Sequence, residues 1–106
     1  MNKYTELSDF EINKKVAARY YQNKDFIEAY KDVEKVFVDG NLFDPCNNPA
    51  DAMPIIIENK IGLSPMYHSN KWTADCLDYD FISVNKNPLR AAMELFLLMK
   101  DAENEG

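Results

Sequence analysis

An Asn-Pro pair occurs twice in this sequence, each time just before an apolar run, and it fixes where two helices begin. The side chain of Asn48 can cap a helix, and Pro49 suits the first helical position because no amide is needed there. Asp51 suits the positive end of the same helix. Asn87-Pro88 repeats the signal. We therefore predict helices that begin at Asn48 and at Asn87.

A third helix start lies near the N-terminus. Ser8 and Glu11 have the spacing of a capping box, in which each side chain satisfies a backbone amide of the other residue. Ile12, Val16 and Tyr20 recur every four residues. The sequence therefore predicts a helix from Ser8 to about Tyr20.

Two of the predicted helices carry irregular features. Pro54 removes one backbone hydrogen bond from the helix after Asn48, which predicts a kink or a late start. The helix after Asn87 carries one apolar stripe, and residues 101–106 are predicted to form a disordered polar tail. The stripe consists of Leu89, Met93, Phe96 and Leu97, and Lys100 forms its polar end.

The middle of the chain contains β-forming residues. Val36-Phe37-Val38 predicts a strand, and the turn residues Asp39-Gly40-Asn41 end it. Residues 22–34 fit helix spacing as well as strand spacing, and we favour a turn followed by a strand.

Three short strands are predicted after Leu63, at residues 64–67, 71–76 and 79–84, and their close spacing predicts an antiparallel meander. The predicted fold class is α+β. A mainly antiparallel sheet, built from this meander and the earlier strand, is covered by three helices.

Length and charge limit the classes of protein. Residues 1–106 are enough for a single domain. The net charge of −6 lies in residues 36–106, which hold 11 acidic and 5 basic residues, whereas residues 1–35 hold 7 of each. With two arginines and no basic stripe, the chain is predicted not to bind nucleic acid, and its acidity is too mild for a DNA mimic.

No segment predicts membrane association. The longest apolar run, Leu95–Met99, is far shorter than the ~20 residues that span a bilayer, and the first residues lack a hydrophobic signal region. We therefore expect the protein in the cytoplasm.

The sequence predicts no metal and no cofactor. The two cysteines, thirty residues apart, form neither a disulfide framework nor a Cys-x-x-Cys pair of metal ligands. Asp75, Asp78 and Asp80 lack the Gly and Glu that a calcium loop requires. We expect these acids to protect the edge of the meander from pairing with other chains.

Cys46 is the candidate nucleophile, because a thiol close to a helix N-terminus has a lowered pKa. Its base would have to be His68, the single histidine, which lies in a predicted hairpin turn. Chemistry by Cys46 and His68 is the minor alternative. We predict that Cys46 is a half-buried loop cysteine and that the protein is not an enzyme.

Arg90 and Trp72 each have two interpretations. Arg90 can bind a phosphate or carboxylate together with Asn87, or it can form a salt bridge with Glu94, four residues later. Trp72 is either a core anchor or a stacking platform for a planar ligand, and core packing is favoured.

The free amides of two helix starts can form a binding surface if both starts lie at one edge of the sheet, which the sequence leaves open. Asp44, Asn47 and Asn48 are also common turn and cap residues. The predicted binding residues are Phe43, Asp44, Cys46, Asn47, Asn48, Trp72, Asn87 and Arg90.

The segments Leu7–Lys14, Phe43–Ala52, Pro54–Ile61, Trp72–Ala74 and Asn87–Ala92 resemble the NinX family of tailed enterobacterial bacteriophages. The resemblance covers nearly the whole chain. It implies an accessory protein that is made in the host cytoplasm and is not part of the virion. It implies no catalytic residue.

We expect this protein to act by binding a host protein, with the acidic part of the chain attracting a basic partner surface. The alternative is a symmetric homodimer that sequesters a small anionic ligand, a nucleotide-like host defence signal.

Overall fold

The computed structural model describes residues 2–22 and 26–105 and shows the predicted α+β class. The elements in chain order are α1 (Asp9–Tyr21), β1 (Ile27–Tyr30), β2 (Lys35–Val38), β3 (Asn41–Leu42), α2 (Pro49–Glu58), β4 (Gly62–Pro65), β5 (Trp72–Cys76), β6 (Tyr79–Asn85) and α3 (Pro88–Glu105).

The strands form two antiparallel sheets of three strands each, in the orders β1-β2-β3 and β4-β5-β6. The second sheet is the predicted meander. The strand predicted at 36–38 is not part of that sheet, because it is the centre of the first one. Strand content after residue 22 is confirmed by β1, while positions 23–25 of that segment lie outside the described residues.

The sequence analysis missed β3. Asp39 and Gly40 have φ angles of 50° and 82°, as the two central residues of a tight hairpin turn require. The chain therefore turns back at once, and Asn41 pairs with Val38. The turn residues that were predicted to end a strand instead join two strands.

All three predicted helix starts are confirmed. The side chain of Ser8 accepts a hydrogen bond from the amide of Glu11 at 3.2 Å. Asn48 accepts one from the amide of Ala50 at 3.0 Å, and Asn87 caps α3 in the same way. Of the two effects predicted for Pro54, a kink or a late start, the late start is wrong, because α2 begins at Pro49 and includes Pro54.

The last helix, α3, lies at the centre of the fold. It contacts β4, β5 and β6 of the second sheet and the helices α1 and α2. Every residue from Arg90 to Leu97 is buried. The prediction of a single apolar stripe is therefore wrong, because a helix enclosed on several sides is buried around its whole circumference.

The predicted tail is part of α3, which continues to Glu105. The carboxylate of Asp101 accepts hydrogen bonds from the hydroxyl of Tyr4 and from Arg19, the latter at 2.8 Å. Lys3 lies 2.9 Å from the same carboxylate. Asp101, the first residue of the predicted tail, is therefore held by partners from the N-terminal part of the chain. Gly106 lies outside the described residues.

No helix in the described parts of the chain is long and apolar enough to cross a membrane.

Candidate functional site

The loop between β3 and α2, residues 43–48, is closed by its own backbone. The amides of Asn47 and Asn48 both donate to the carbonyl of Asp44, at 3.0 and 2.7 Å. The amide of Asp44 donates to the carboxylate of Asp51 at 2.9 Å. Phe43 and Cys46 are buried, whereas Asn47 is exposed. The loop therefore has an anchored inner side and a polar outer side.

Asn13 of α1 holds this loop from the inside. Its side-chain amide donates to the carboxylate of Asp44 at 2.7 Å, and its side-chain oxygen accepts from the amide of Cys46 at 3.1 Å. The sequence analysis missed Asn13. Its signal was an amide side chain on the apolar face of α1 beside Ile12, since a buried polar side chain needs hydrogen-bonding partners.

The two Asn-Pro helix starts lie next to each other. The side-chain amide of Asn87 donates to the carbonyl of Cys46 at 2.6 Å and approaches the side-chain oxygen of Asn47 at 3.4 Å. The side-chain oxygen of Asn87 meanwhile accepts from the amide of Leu89 at 2.9 Å. One side chain thus caps α3 and fixes the loop before α2. This answers the spatial question that the sequence left open.

The free amides expected at these helix starts are absent from the described residues. In α3 the first position is Pro88, and the next amides, of Leu89 and Arg90, donate to the side chain of Asn87. In α2 the amide of Ala50 donates to the side chain of Asn48. The Asn-Pro pair closes a helix start, because proline has no amide and asparagine occupies the amides that follow. Neither start offers amides to an anion.

The guanidinium of Arg90 lies inside the protein, with 7% of the side chain exposed. It donates to Glu94 and Asp9, both at 2.7 Å, and to the carbonyls of Tyr4 and Leu7 at 3.0 and 2.6 Å. Burial works against the charged form, but the hydrogen bonds to Asp9 and Glu94 outweigh it and raise the pKa of Arg90. The salt bridge to Glu94 that the sequence offered as one alternative is therefore present.

The carboxylate of Glu94 is fully buried. One oxygen pairs with Arg90, and the other accepts from Asn2 at 3.1 Å and from the hydroxyl of Ser83 at 3.4 Å. A buried ion pair of this kind is stable only when its remaining hydrogen-bonding capacity is satisfied. We call Asp9, Asn13, Asp44, Asn87, Arg90 and Glu94 the polar hub.

The outer end of the polar hub is Asp9, whose side chain is 44% exposed. One carboxylate oxygen accepts from Arg90, and the other accepts from the side-chain amide of Asn47 at 3.3 Å. Asn47 also donates to Asp44 at 3.1 Å. Asp9 and Asp44 are thereby fixed on either side of one exposed amide side chain.

An open cleft of about 270 Å³ lies beside these two acids. We call it the acidic cleft. Three of its lining residues are acidic, namely Asp9, Glu34 and Asp44, and one is basic, Lys35. The other lining residues are Ser8, Phe10, Asn13, Val36, Leu42, Phe43 and Asn47. The lining thus holds three acidic side chains and one basic one, and the carboxylate of Asp9 is already paired with the guanidinium of Arg90.

Cys46 is fully buried, whereas the sequence predicted a half-buried loop cysteine. Its sulfur lies 4.0 Å from the carbonyl of Asp9. Burial and the negative charge of Asp9 raise the pKa of the Cys46 thiol, the opposite of the lowered pKa expected for a nucleophile. His68 lies in the turn between β4 and β5, where its ring packs against Tyr67.

The structure brings most of the predicted binding residues together. Four loop residues, Asp44, Cys46, Asn47 and Asn48, join Asn87 and Arg90 in one hydrogen-bonded group. Phe43, Asp44 and Asn47 line the acidic cleft. Trp72 is half-buried at the start of β5, where it pairs with Asn85, and it is not part of the cleft lining. Within the described residues, no group of three or more His, Cys, Asp or Glu side chains is arranged to hold a metal ion.

The fold and the site define a small α+β protein in which a buried ion-pair hub supports an acidic surface cleft. The family model described as "Bacteriophage P22, NinX" matches residues 3–100, and the chain belongs to this family. Comparisons with curated proteins and with solved structures gave no significant match.

Proposed function

We propose that this protein is a non-enzymatic phage accessory protein that binds a host protein in the host cytoplasm, and that its acidic cleft receives a basic side chain of that partner. The observation that carries the proposal is the cleft lining, which contains three acidic side chains and one lysine. Membership of the phage family supports the biological setting.

The charge of the lining favours a cationic group over an anionic one. The guanidinium of Arg90, the side chain that could have bound an anion, instead donates to Asp9 and Glu94. The amides at the starts of α2 and α3 donate to their own caps. A nucleotide-like anion would meet carboxylates in the cleft and would be repelled at neutral pH.

Two of the three cleft acids, Asp9 and Asp44, are held in place before any partner arrives. The carboxylate of Asp44 accepts from Asn13 at 2.7 Å and from Asn47 at 3.1 Å. Asp9 is fixed by Arg90 at 2.7 Å. Preorganised groups lose little conformational freedom on binding, so an incoming lysine or arginine gains more of the interaction energy.

An apolar surface on α2 supports a protein partner over a small molecule. Met53 and Ile57 are 41% and 66% exposed, although they belong to a helix whose opposite face is buried. Leu42, in the cleft lining, is 50% exposed. Exposed apolar residues beside charged ones are typical of protein interaction surfaces.

Affinity capture from host lysate tests the proposal if it compares wild-type protein with two charge variants. Glu34→Lys reverses a charge in the cleft lining. Asp78→Lys makes the same charge change in the turn between β5 and β6, outside the lining. We expect one host protein to be retained by wild type and by Asp78→Lys and to be lost with Glu34→Lys, with retention decreasing as salt is raised.

Equal capture of the same host protein by all three forms would contradict the assignment of the cleft. A direct measurement uses amidated lysine and arginine as probes, with amide chemical shifts of the protein as the readout. Shifts confined to the cleft lining support the proposal, and shifts spread evenly over the surface oppose it.

A further inference from the structure

We propose that the first sheet carries a docking surface for an amphipathic, basic helix of the partner. The apolar side of that helix lies on the exposed face of β1, β2 and β3, and a basic side chain on its flank enters the acidic cleft. The inference rests on the proposed function, because it uses the same cleft, and it adds the kind of segment that the partner presents.

The first sheet has one face turned to the protein and one face exposed. Val36 and Val38 of β2 are buried, and α1 contacts both β1 and β2. Side chains alternate along a strand, so Phe37, between the two valines, lies on the other face. Glu28 and Leu42 are directly opposite Phe37 in the neighbouring strands and share that face with it. We call it the outer face.

The outer face is largely apolar. Leu42 is 50% exposed, and Tyr30, which is on the same face by the alternation of β1, is 45% exposed. The ring of Tyr30 packs edge to face against Phe37, with the ring centroids 5.8 Å apart. Phe26, immediately before β1, is 66% exposed, and its amide donates to the carboxylate of Asp39 at 2.9 Å. Large apolar side chains that are exposed together are typical of interaction surfaces.

The size of the outer face fits one helix. Neighbouring strands lie about 4.8 Å apart, so three strands make a face about 10 Å wide, which is the diameter of an α-helix. From Phe26 to Tyr30 the chain runs about 14 Å at about 3.4 Å per residue, which equals between two and three helical turns. The opposite face of this sheet packs against a helix, α1. A partner helix therefore completes a layer on the exposed side.

The charges around the outer face favour a basic helix. Residues 26–44, which include the whole sheet, hold five acidic and two basic residues. Asp39 lies at one end of the face, beside Phe26. Glu34 and Asp44 lie at the other end, in the cleft lining. A helix with lysine or arginine along its flank meets opposite charge at both ends.

The outer face and the acidic cleft are continuous. Leu42 belongs to both, because it lies opposite Phe37 and also lines the cleft. Lys35, opposite Tyr30, likewise lines the cleft. One helix can therefore cover the two together, with its apolar side chains on the sheet and a basic side chain in the cleft.

Binding of a model peptide to the full chain tests the docking surface. The probe is an amidated peptide of about 16 residues, long enough to form a helix, with leucines along one helical face and lysines on its flank. One control peptide has the same residues in an order without an apolar stripe, and another has glutamates in place of the lysines. In fluorescence anisotropy we expect the probe to bind at least about tenfold more tightly than either control.

Two variants with the same chemical change locate the bound peptide. Tyr30→Ser removes a ring from the outer face, and Tyr67→Ser removes one from the turn between β4 and β5, where Tyr67 is 90% exposed. We expect Tyr30→Ser to weaken binding of the probe by about tenfold and Tyr67→Ser to leave it unchanged. Equal binding by both variants would overturn the proposal. Circular dichroism checks that each variant is folded, and Phe26→Ser, outside β1, repeats the test if Tyr30→Ser disturbs the strand pair.

Amidated lysine separates this inference from the proposed function. Its effects on amide chemical shifts at the cleft should be the same in wild type and in Tyr30→Ser, because Tyr30 is not part of the cleft lining. If amidated lysine acts at the cleft while the probe binds no more tightly than the reordered peptide, the docking surface is refuted and the proposed function stands. If amidated lysine has no effect at the cleft, the proposed function is refuted, and with it the role of the basic flank.

A second copy of the chain is the competing occupant of the outer face. Sedimentation velocity of the full chain distinguishes the two. A wild-type dimer that Tyr30→Ser dissociates and Tyr67→Ser does not would assign the outer face to self-association and would overturn the proposal.

Discussion

Replacement of Arg90 by methionine should destabilise this protein strongly. The change removes four hydrogen bonds and leaves the fully buried carboxylate of Glu94 without its counter-charge. Removing one partner of a buried pair costs about 3–5 kcal/mol, and the partly exposed Asp9 adds little because water can replace Arg90 there. In a domain of this size, a loss of about 3 kcal/mol lowers the melting temperature by roughly 12–24 °C.

Urea unfolding followed by circular dichroism measures this loss. The double variant Arg90→Met/Glu94→Met removes both charges and should be more stable than Arg90→Met alone. Arg19→Met is the matched control, because the salt bridge of Arg19 with Asp101 is near the surface and should be worth about 1 kcal/mol or less. An Arg90→Met protein within about 1 kcal/mol of wild type would refute the reasoning. If that protein also lost its host partner, Arg90 would be a ligand contact.

Three further changes test the fold. Asn87→Ala should lower the free energy of unfolding by about 2 kcal/mol and Asn48→Ala by about 1 kcal/mol, both measured by urea unfolding. The difference is expected because Asn87 caps α3 and also donates to the carbonyl of Cys46, whereas Asn48 only caps α2. Equal losses of stability would argue against a role of Asn87 in holding the loop. Burial tends to raise the pKa of Asp101, but the hydrogen bond from Tyr4 and two nearby cations outweigh it and lower the pKa. Asp101→Asn should therefore be less stable than wild type at pH 7, and the difference should disappear as the pH falls through the lowered pKa of the folded state; a difference that persists in acid would contradict this. A Cβ at position 40 would meet no atom within 4 Å, so the loss of stability in Gly40→Ala, about 1 kcal/mol, should come only from the positive φ of 82°. Unchanged stability in thermal unfolding would show that the turn changes its backbone conformation to accept alanine.

The features that could be predicted from the sequence are those that neighbouring residues determine. A helix cap joins a side chain to an amide two or three positions later, so Ser8, Asn48 and Asn87 were identifiable without any knowledge of the fold. The meander was predictable for a similar reason, because its turns are short and its strands are adjacent in the chain.

The candidate site could be predicted only in part. The loop before α2 and the start of α3 were identified, but the network that joins them depends on Asn13, which is 31 residues from Asp44 in the chain. The sequence also left the partner of the Arg90 guanidinium undetermined, because it could pair with Glu94 or bind an anion. The choice depends on Asp9 and the N-terminal carbonyls, which bind Arg90 only in the folded chain.

The sequence by itself determined the helix starts, the tight turn at Gly40 and the α+β class, because capping, backbone conformation and apolar periodicity act over a few residues. Tertiary structure alone decided that α3 is buried all round from Arg90 to Leu97, that residues 101–105 are helical and that three acids line one cleft. Each of these depends on partners far away in the chain. Burial, ion pairing and electrostatic potential depend on distances in space, and residues that are far apart in the sequence come close to each other only when the chain folds.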